Sequence, residues 1–117
     1  MKYQTIEQND LQLPSKPTLA DFQQYVKKMK TIRNFNVTDP FYECCLFMEE
    51  CGEVVSAIRK NSKGGTIGTG SKKGNIEEEL ADVFMYVCSL ANMFDVDLER
   101  AFRQKEEINK TRFWKKI

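Results

Sequence analysis

Two pairs of carboxylates stand where a helical chain ought to be dry. Glu50 and Glu53 lie one turn apart in MEECGEVVSAIRK, and at about 100° per residue they share a sector with Leu46 and Ala57. Glu79 and Asp82 lie one turn apart in IEEELADVFMYVCSLANMF, on the stripe of Val83, Tyr86 and Leu90. A single E-x-x-E pair is ordinarily a solvated helix face. Two pairs, each set among apolar neighbours, are different, because an isolated buried carboxylate must be paired, protonated or bound to a metal. Packed antiparallel, the two segments bring four carboxylates to one place. Oxygen donors with no nitrogen or sulfur among them suit Mg²⁺, with Mn²⁺ as the second choice. No EF-hand loop speaks for calcium.

A second set of residues lies near the C-terminal end of the sequence. In DLERAFRQKEEINKTRFW, the apolar residues Leu98, Ala101, Phe102 and Ile108 form a stripe, which Lys105, Asn109 and Arg112 continue. Two cations and an amide on an inward face suit phosphate oxygens. The plainer alternative is that long side chains snorkel at the end of a bundle.

The elements that carry these residues read as helices. Thr18, with Asp21 three residues on, has the form of a capping box before Leu19, Phe22, Val26 and Met29. Asn36 to Asp39 make a break, and Asp39 followed by Pro40 starts a second helix to about Lys60. Its apolar stripe is read as Cys44, Phe47, Met48, Cys51, Val55 and Ile58. Gly52, inside that helix, costs about 1 kcal/mol against alanine and suggests close approach of another backbone. Asn75 caps a third helix to about Phe94, and Asp97 a fourth. The expected fold is all-α, a four-helix bundle. Residues 1–17, with Pro14 and Pro17, read as an extended arm before a single domain at 18–117. Residues 61–75 hold five of the six glycines and three lysines, and read as a flexible loop or lid. That loop does not match the phosphate-binding pattern G-x-x-x-x-G-K-[ST], and no strand precedes it.

Composition excludes several classes. With no histidine, histidine-based triads, histidine-ligated zinc and Glu-x-x-His di-iron sites are absent. The four cysteines form no C-x-x-C pair, and Cys44, Cys51 and Cys88 read as small core residues in a reducing compartment. A net charge of +1, with 18 basic and 17 acidic residues, argues against nucleic acid or a membrane surface as partner. The N-terminal stretch lacks the apolar core of a signal peptide, and no apolar run spans a bilayer, so a cytoplasmic protein is expected. The apolar third helix suits a small protein that completes its core by pairing with copies of itself.

Taken in order, E-E-x-x-E at Glu49, Glu50 and Glu53, E-x-x-D at Glu79 to Asp82, and the VDLERAF and KEEINKTRFW segments resemble the MazG-like all-α nucleotide pyrophosphohydrolases, over roughly Thr18 to Trp114. The resemblance implies hydrolysis of a nucleoside triphosphate (NTP or dNTP) to the monophosphate and pyrophosphate. It implies Glu50, Glu53, Glu79 and Asp82 as metal ligands, and Lys105, Asn109 and Arg112 as phosphate contacts. It also implies a homodimer or homotetramer whose subunits share helices around each site. Beside those ligands, Glu49 is the candidate to position or deprotonate the attacking water, and Tyr86, Phe35 or Trp114 to stack on the base. Phosphoribosyl-ATP pyrophosphohydrolases and dimeric dUTPases use similar carboxylate bundles. A non-catalytic nucleotide-binding module, or a purely structural helical oligomer, is the alternative outside enzymes.

Overall fold

The computed structural model describes residues 8–35 and 39–117. Among these it contains four α-helices and no strand: α1 (Leu19–Ile32), α2 (Pro40–Asn61), α3 (Ile76–Met93) and α4 (Leu98–Lys110). The all-α expectation is met, and the helix starts fall where the capping chemistry puts them. The Thr18 hydroxyl accepts from the Asp21 amide while the Asp21 carboxylate accepts from the Thr18 amide, a complete capping box. Asp39 accepts from the Phe41 amide ahead of Pro40, and Asp97 from the Arg100 amide. Asn75 accepts from the Glu78 amide at the start of α3. Of the residues expected to break the chain, 36–38 lie outside the described residues, as does the arm before residue 8.

Two compact units divide the chain. One comprises α1, α4 and the end of α3 from Ala91. Its organising side chain is Gln23, buried on α1. The Gln23 amide donates to the Val96 carbonyl at 2.7 Å and to Asn92 Oδ1 at 3.2 Å, and its Oε1 accepts from the Leu98 amide at 3.0 Å. Asn92 answers by donating to the Gln23 carbonyl at 2.9 Å. Thus α1 grips the tight α3–α4 turn, in which Asp95 takes a left-handed φ of 52°. Residues 8–17 are largely irregular, and they are tied to α1 by Arg33 Nε donating to Gln8 Oε1 at 2.9 Å.

The second unit, residues 36–90, is an antiparallel pairing of α2 with α3. Its register is fixed at both ends. Glu43, near the start of α2, is 1% exposed and accepts a 2.5 Å hydrogen bond from the Ser89 hydroxyl near the end of α3. At the other end Gly74 lies against Ala57, where a Cβ on Gly74 would stand in van der Waals contact, 3.4 Å from the Ala57 Cβ. Gly74 also has φ +81°, which other residues adopt only with strain.

Two readings of the sequence need correction. The side of α2 facing α3 is Glu43, Phe47, Glu50, Val54 and Ala57, all buried or half-buried. Of the stripe read as core, Cys44, Met48, Val55 and Ile58 are exposed, and Cys51 is half-buried. Only Cys88 is a buried cysteine, with its thiol pKa pushed up by burial. α2 therefore has two apolar faces, and hydrophobicity alone chose the outer one. A Cβ on Gly52 would meet no atom within 4 Å, so no backbone among the described residues approaches it.

Candidate metal centre

The register that sets Glu43 against Ser89 also sets Glu50 against Asp82, and Glu53 against Glu79. Glu50, Glu79 and Asp82 each place a carboxylate oxygen within 4.8 Å of the others. Glu50 and Glu79 are half-buried. Among the described residues no lysine or arginine pairs with any of the three. The consequence is electrostatic. The Glu50 pKa is raised above the ordinary 4.5, first by desolvation, then by the charges of Asp82, Glu79, Glu53 and Glu49. The Glu79 pKa is raised by desolvation, then by Asp82, Glu53 and Glu78. Like charges are crowded here without a counter-charge, and either protonation or a cation would relieve such crowding.

The donor set fits a small hard cation. Three carboxylates, with no nitrogen or sulfur donor among them, are the ligand chemistry that Mg²⁺ or Mn²⁺ takes. Glu53 is exposed and stands outside the trio, on the rim next to Glu79. Glu49 is exposed beside it, within electrostatic reach of Glu50.

Tyr86, one turn beyond Asp82, is half-buried. Its phenol pKa is raised by desolvation, then by Glu43, Glu50, Asp82 and Glu49. Along α3, Tyr86 falls between Asp82 of the trio and Ser89, the hydrogen-bond partner of Glu43. Glu43 was not singled out from the sequence. The available signal was spacing, since it lies seven residues before Glu50 and hence on the same side of α2.

Lys105, Asn109 and Arg112 belong to the other compact unit, at and just beyond α4. Asn109 is half-buried there, whereas Lys105 and Arg112 are exposed. The apolar stripe they were expected to extend inward is mostly uncovered. Leu98 is half-buried, but Phe102 is 70% exposed, and Ala101 and Ile108 are exposed too. Phe35 and Trp114 are likewise exposed.

The family model of the MazG nucleotide pyrophosphohydrolase domain matches residues 44–112, which include the carboxylate trio, the loop after α2 and the whole of α4. The chain belongs to this MazG family. A relative in Bacillus subtilis, the uncharacterized protein YvdC, is 29% identical over 101 residues, 81% of this chain and 95% of that protein. The matched MazG segment begins within α2, after the buried Glu43, and leaves α1 outside. No helix among the described residues is long and apolar enough to cross a membrane.

Proposed function

We propose that this MazG domain is a Mg²⁺-dependent nucleoside triphosphate pyrophosphohydrolase, converting NTP or dNTP to the monophosphate and pyrophosphate. The observation carrying the proposal is the trio of half-buried or neighbouring carboxylates, Glu50, Glu79 and Asp82, crowded without a cation on a MazG α2/α3 pair. These three, joined by Glu53 from the rim, hold the metal. Mn²⁺ satisfies the same oxygen donors. The bound metal supplies neutralisation of phosphate charge and activation of water near neutral pH.

The chain's own residues do the rest. Glu49 orients the attacking water and takes its proton. The water oxygen bonds to the α-phosphorus, the bond from that phosphorus to the α,β-bridging oxygen breaks, and pyrophosphate leaves with the electron pair. Lys105, Asn109 and Arg112 contact phosphate oxygens, and the two cations stabilise charge on the departing pyrophosphate. Tyr86 offers an aromatic face to the nucleoside.

The protein acts in the cytoplasm as a homodimer or homotetramer. The exposed residues Phe41, Cys44, Met48, Val55 and Ile58, with half-buried Cys51, recur at alternating spacings of three and four along α2. That is the seam by which one helix packs lengthwise on another. Phe102 and Ile108 add uncovered apolar surface on α4. A second copy is the partner that covers such surfaces in a small helical protein.

The test is a pyrophosphate-release screen over ordinary, deoxy and modified triphosphates with Mg²⁺, run beside Asp82→Asn and Glu53→Gln. Pyrophosphate should appear with the wild-type chain and be abolished in both variants, which keep the fold because amides are isosteric. Full activity in both variants refutes the site. A melting temperature that responds to Mg²⁺, with no pyrophosphate from any nucleotide, makes the protein a binding module instead.

A further inference from the structure

Next to the carboxylate trio lies a groove of about 480 Å³ that the proposed mechanism leaves unused. One wall is α2 from Glu53 to Lys60, and the other is the strand of loop from Ser71 to Asn75 with the start of α3. Its lining carries both signs: Glu53, Glu78 and Glu79, the last a member of the carboxylate trio, and Lys60, Lys72 and Lys73, which supply the cations. The loop from residue 62 to residue 75 carries three lysines and no acidic residue.

The groove has a fixed form. Lys60 Nζ donates to the Lys72 carbonyl at 2.9 Å, and Asn61 Nδ2 donates to the Ala57 carbonyl at 2.7 Å while lying 3.3 Å from the Gly74 carbonyl. Gly74, with φ +81° and in van der Waals contact with Ala57, holds the Ser71–Asn75 stretch beside α2. An ammonium group has three donors, so Lys60 keeps two N–H bonds for a ligand after binding Lys72.

The lining also says what the ligand is. No residue of the groove is aromatic, so a nucleobase finds no stacking surface there. Three lysine ammonium groups offer donors and charge but no acceptor, which is the complement of phosphate oxygens. We infer that this groove takes the terminal phosphates of the substrate, with Lys60, Lys72 and Lys73 as contacts additional to those proposed above. The inference rests on the proposed reading of the carboxylate trio as a metal centre and extends it, because it gives the substrate a direction. The terminal phosphates run toward the loop, and the nucleoside runs the other way along the α2/α3 seam, where Tyr86 lies.

The experiment is isothermal titration of inorganic triphosphate into the full-length protein in Mg²⁺ buffer, comparing wild type with the Lys72→Met/Lys73→Met double variant and with Lys60→Met. Melting curves in Mn²⁺ are taken on all three proteins. Both lysine side chains of the double variant are exposed, so its melting temperature without metal should match wild type. Triphosphate binding should weaken at least about tenfold in the double variant, the worth of one charge-assisted hydrogen bond, and also in Lys60→Met. The Mn²⁺-dependent rise in melting temperature should persist in all three. Equal triphosphate affinity in wild type and double variant overturns the inference, as does a wild-type protein that does not bind triphosphate. Absence of any Mn²⁺ effect on the wild type counts against the metal centre instead, and the triphosphate comparison still decides the groove.

Discussion

Removing the Ser89 hydroxyl tests the register on which the whole site depends. Ser89 is 3% exposed and its hydroxyl donates to Glu43, itself 1% exposed, at 2.5 Å. Ser89→Ala leaves the helix intact, since alanine is the best helix former. It withdraws one donor from a buried carboxyl oxygen in a place water does not reach. Whatever else Glu43 touches is common to both proteins, so the difference measures what the Ser89 hydroxyl contributes. A buried polar atom that loses a hydrogen-bond donor costs about 1–3 kcal/mol. At about 2.1 cal/mol/K per residue, the unfolding entropy of a chain of this size is about 0.25 kcal/mol/K, so the melting temperature should fall by about 4–12 °C. Calorimetry at fixed protein concentration measures it, since self-association makes melting concentration-dependent. Ser89 lies two turns from Asp82, and its loss should leave the Mn²⁺-induced stabilisation in place. A fall of less than about 1 °C refutes the argument that this bond clamps α2 to α3.

Three further outcomes follow from the same structure. The Glu50 and Glu79 carboxyls have raised pKa values in the folded protein, so the folded state holds their protons more tightly than the unfolded state. The stability this confers is full below the ordinary 4.5 and is lost as pH rises through the folded-state values. In EDTA, Glu50→Gln should therefore show a smaller loss of melting temperature than wild type between acid and neutral pH; parallel curves contradict the crowding described above. Arg112→Ala should lower kcat/KM by about tenfold to hundredfold, the worth of a charge-assisted hydrogen bond of about 1.5–3 kcal/mol; unchanged kinetics make Arg112 a surface residue only. Light scattering at micromolar concentration should give at least twice the 13.6 kDa of one chain, and Val55→Glu, on the exposed seam of α2, should lower it; a monomeric wild type removes the case for a shared site.

What was legible in the sequence was whatever depends on neighbours in the sequence. Thr18 with Asp21, Asp39 with Pro40, and Asp97 announce helix starts because a cap is settled within a few residues. The carboxylates of the trio were legible for a related reason: a charge at helical spacing among apolar residues conflicts with burial wherever the helix packs. What stayed hidden was the choice between two apolar faces of α2. Met48, Val55 and Ile58 outrank Glu43 and Glu50 on any hydrophobicity scale, yet the glutamates face α3 and the larger apolar groups face out. The same inversion occurs on α4, where Phe102 is uncovered. Periodicity finds an apolar face without telling whether its partner belongs to the same chain.

The hairpin of α2 and α3 explains how a site of repelling charges is held in place at all. Three like charges drawn within 4.8 Å push their helices apart, so the pair must be fastened elsewhere. The fastenings lie on either side of the trio: the buried Glu43–Ser89 bond toward the start of α2, and the contact of Gly74 with Ala57 toward its end. Slipping the register by one turn would set Glu43 against a different level of α3, break the Glu43–Ser89 hydrogen bond, and take Gly74 off Ala57. Neither fastening touches the carboxylate trio. Packing rather than the carboxylates themselves therefore decides where the carboxylates stand, and the proposed cation would relieve a repulsion that the packing sustains.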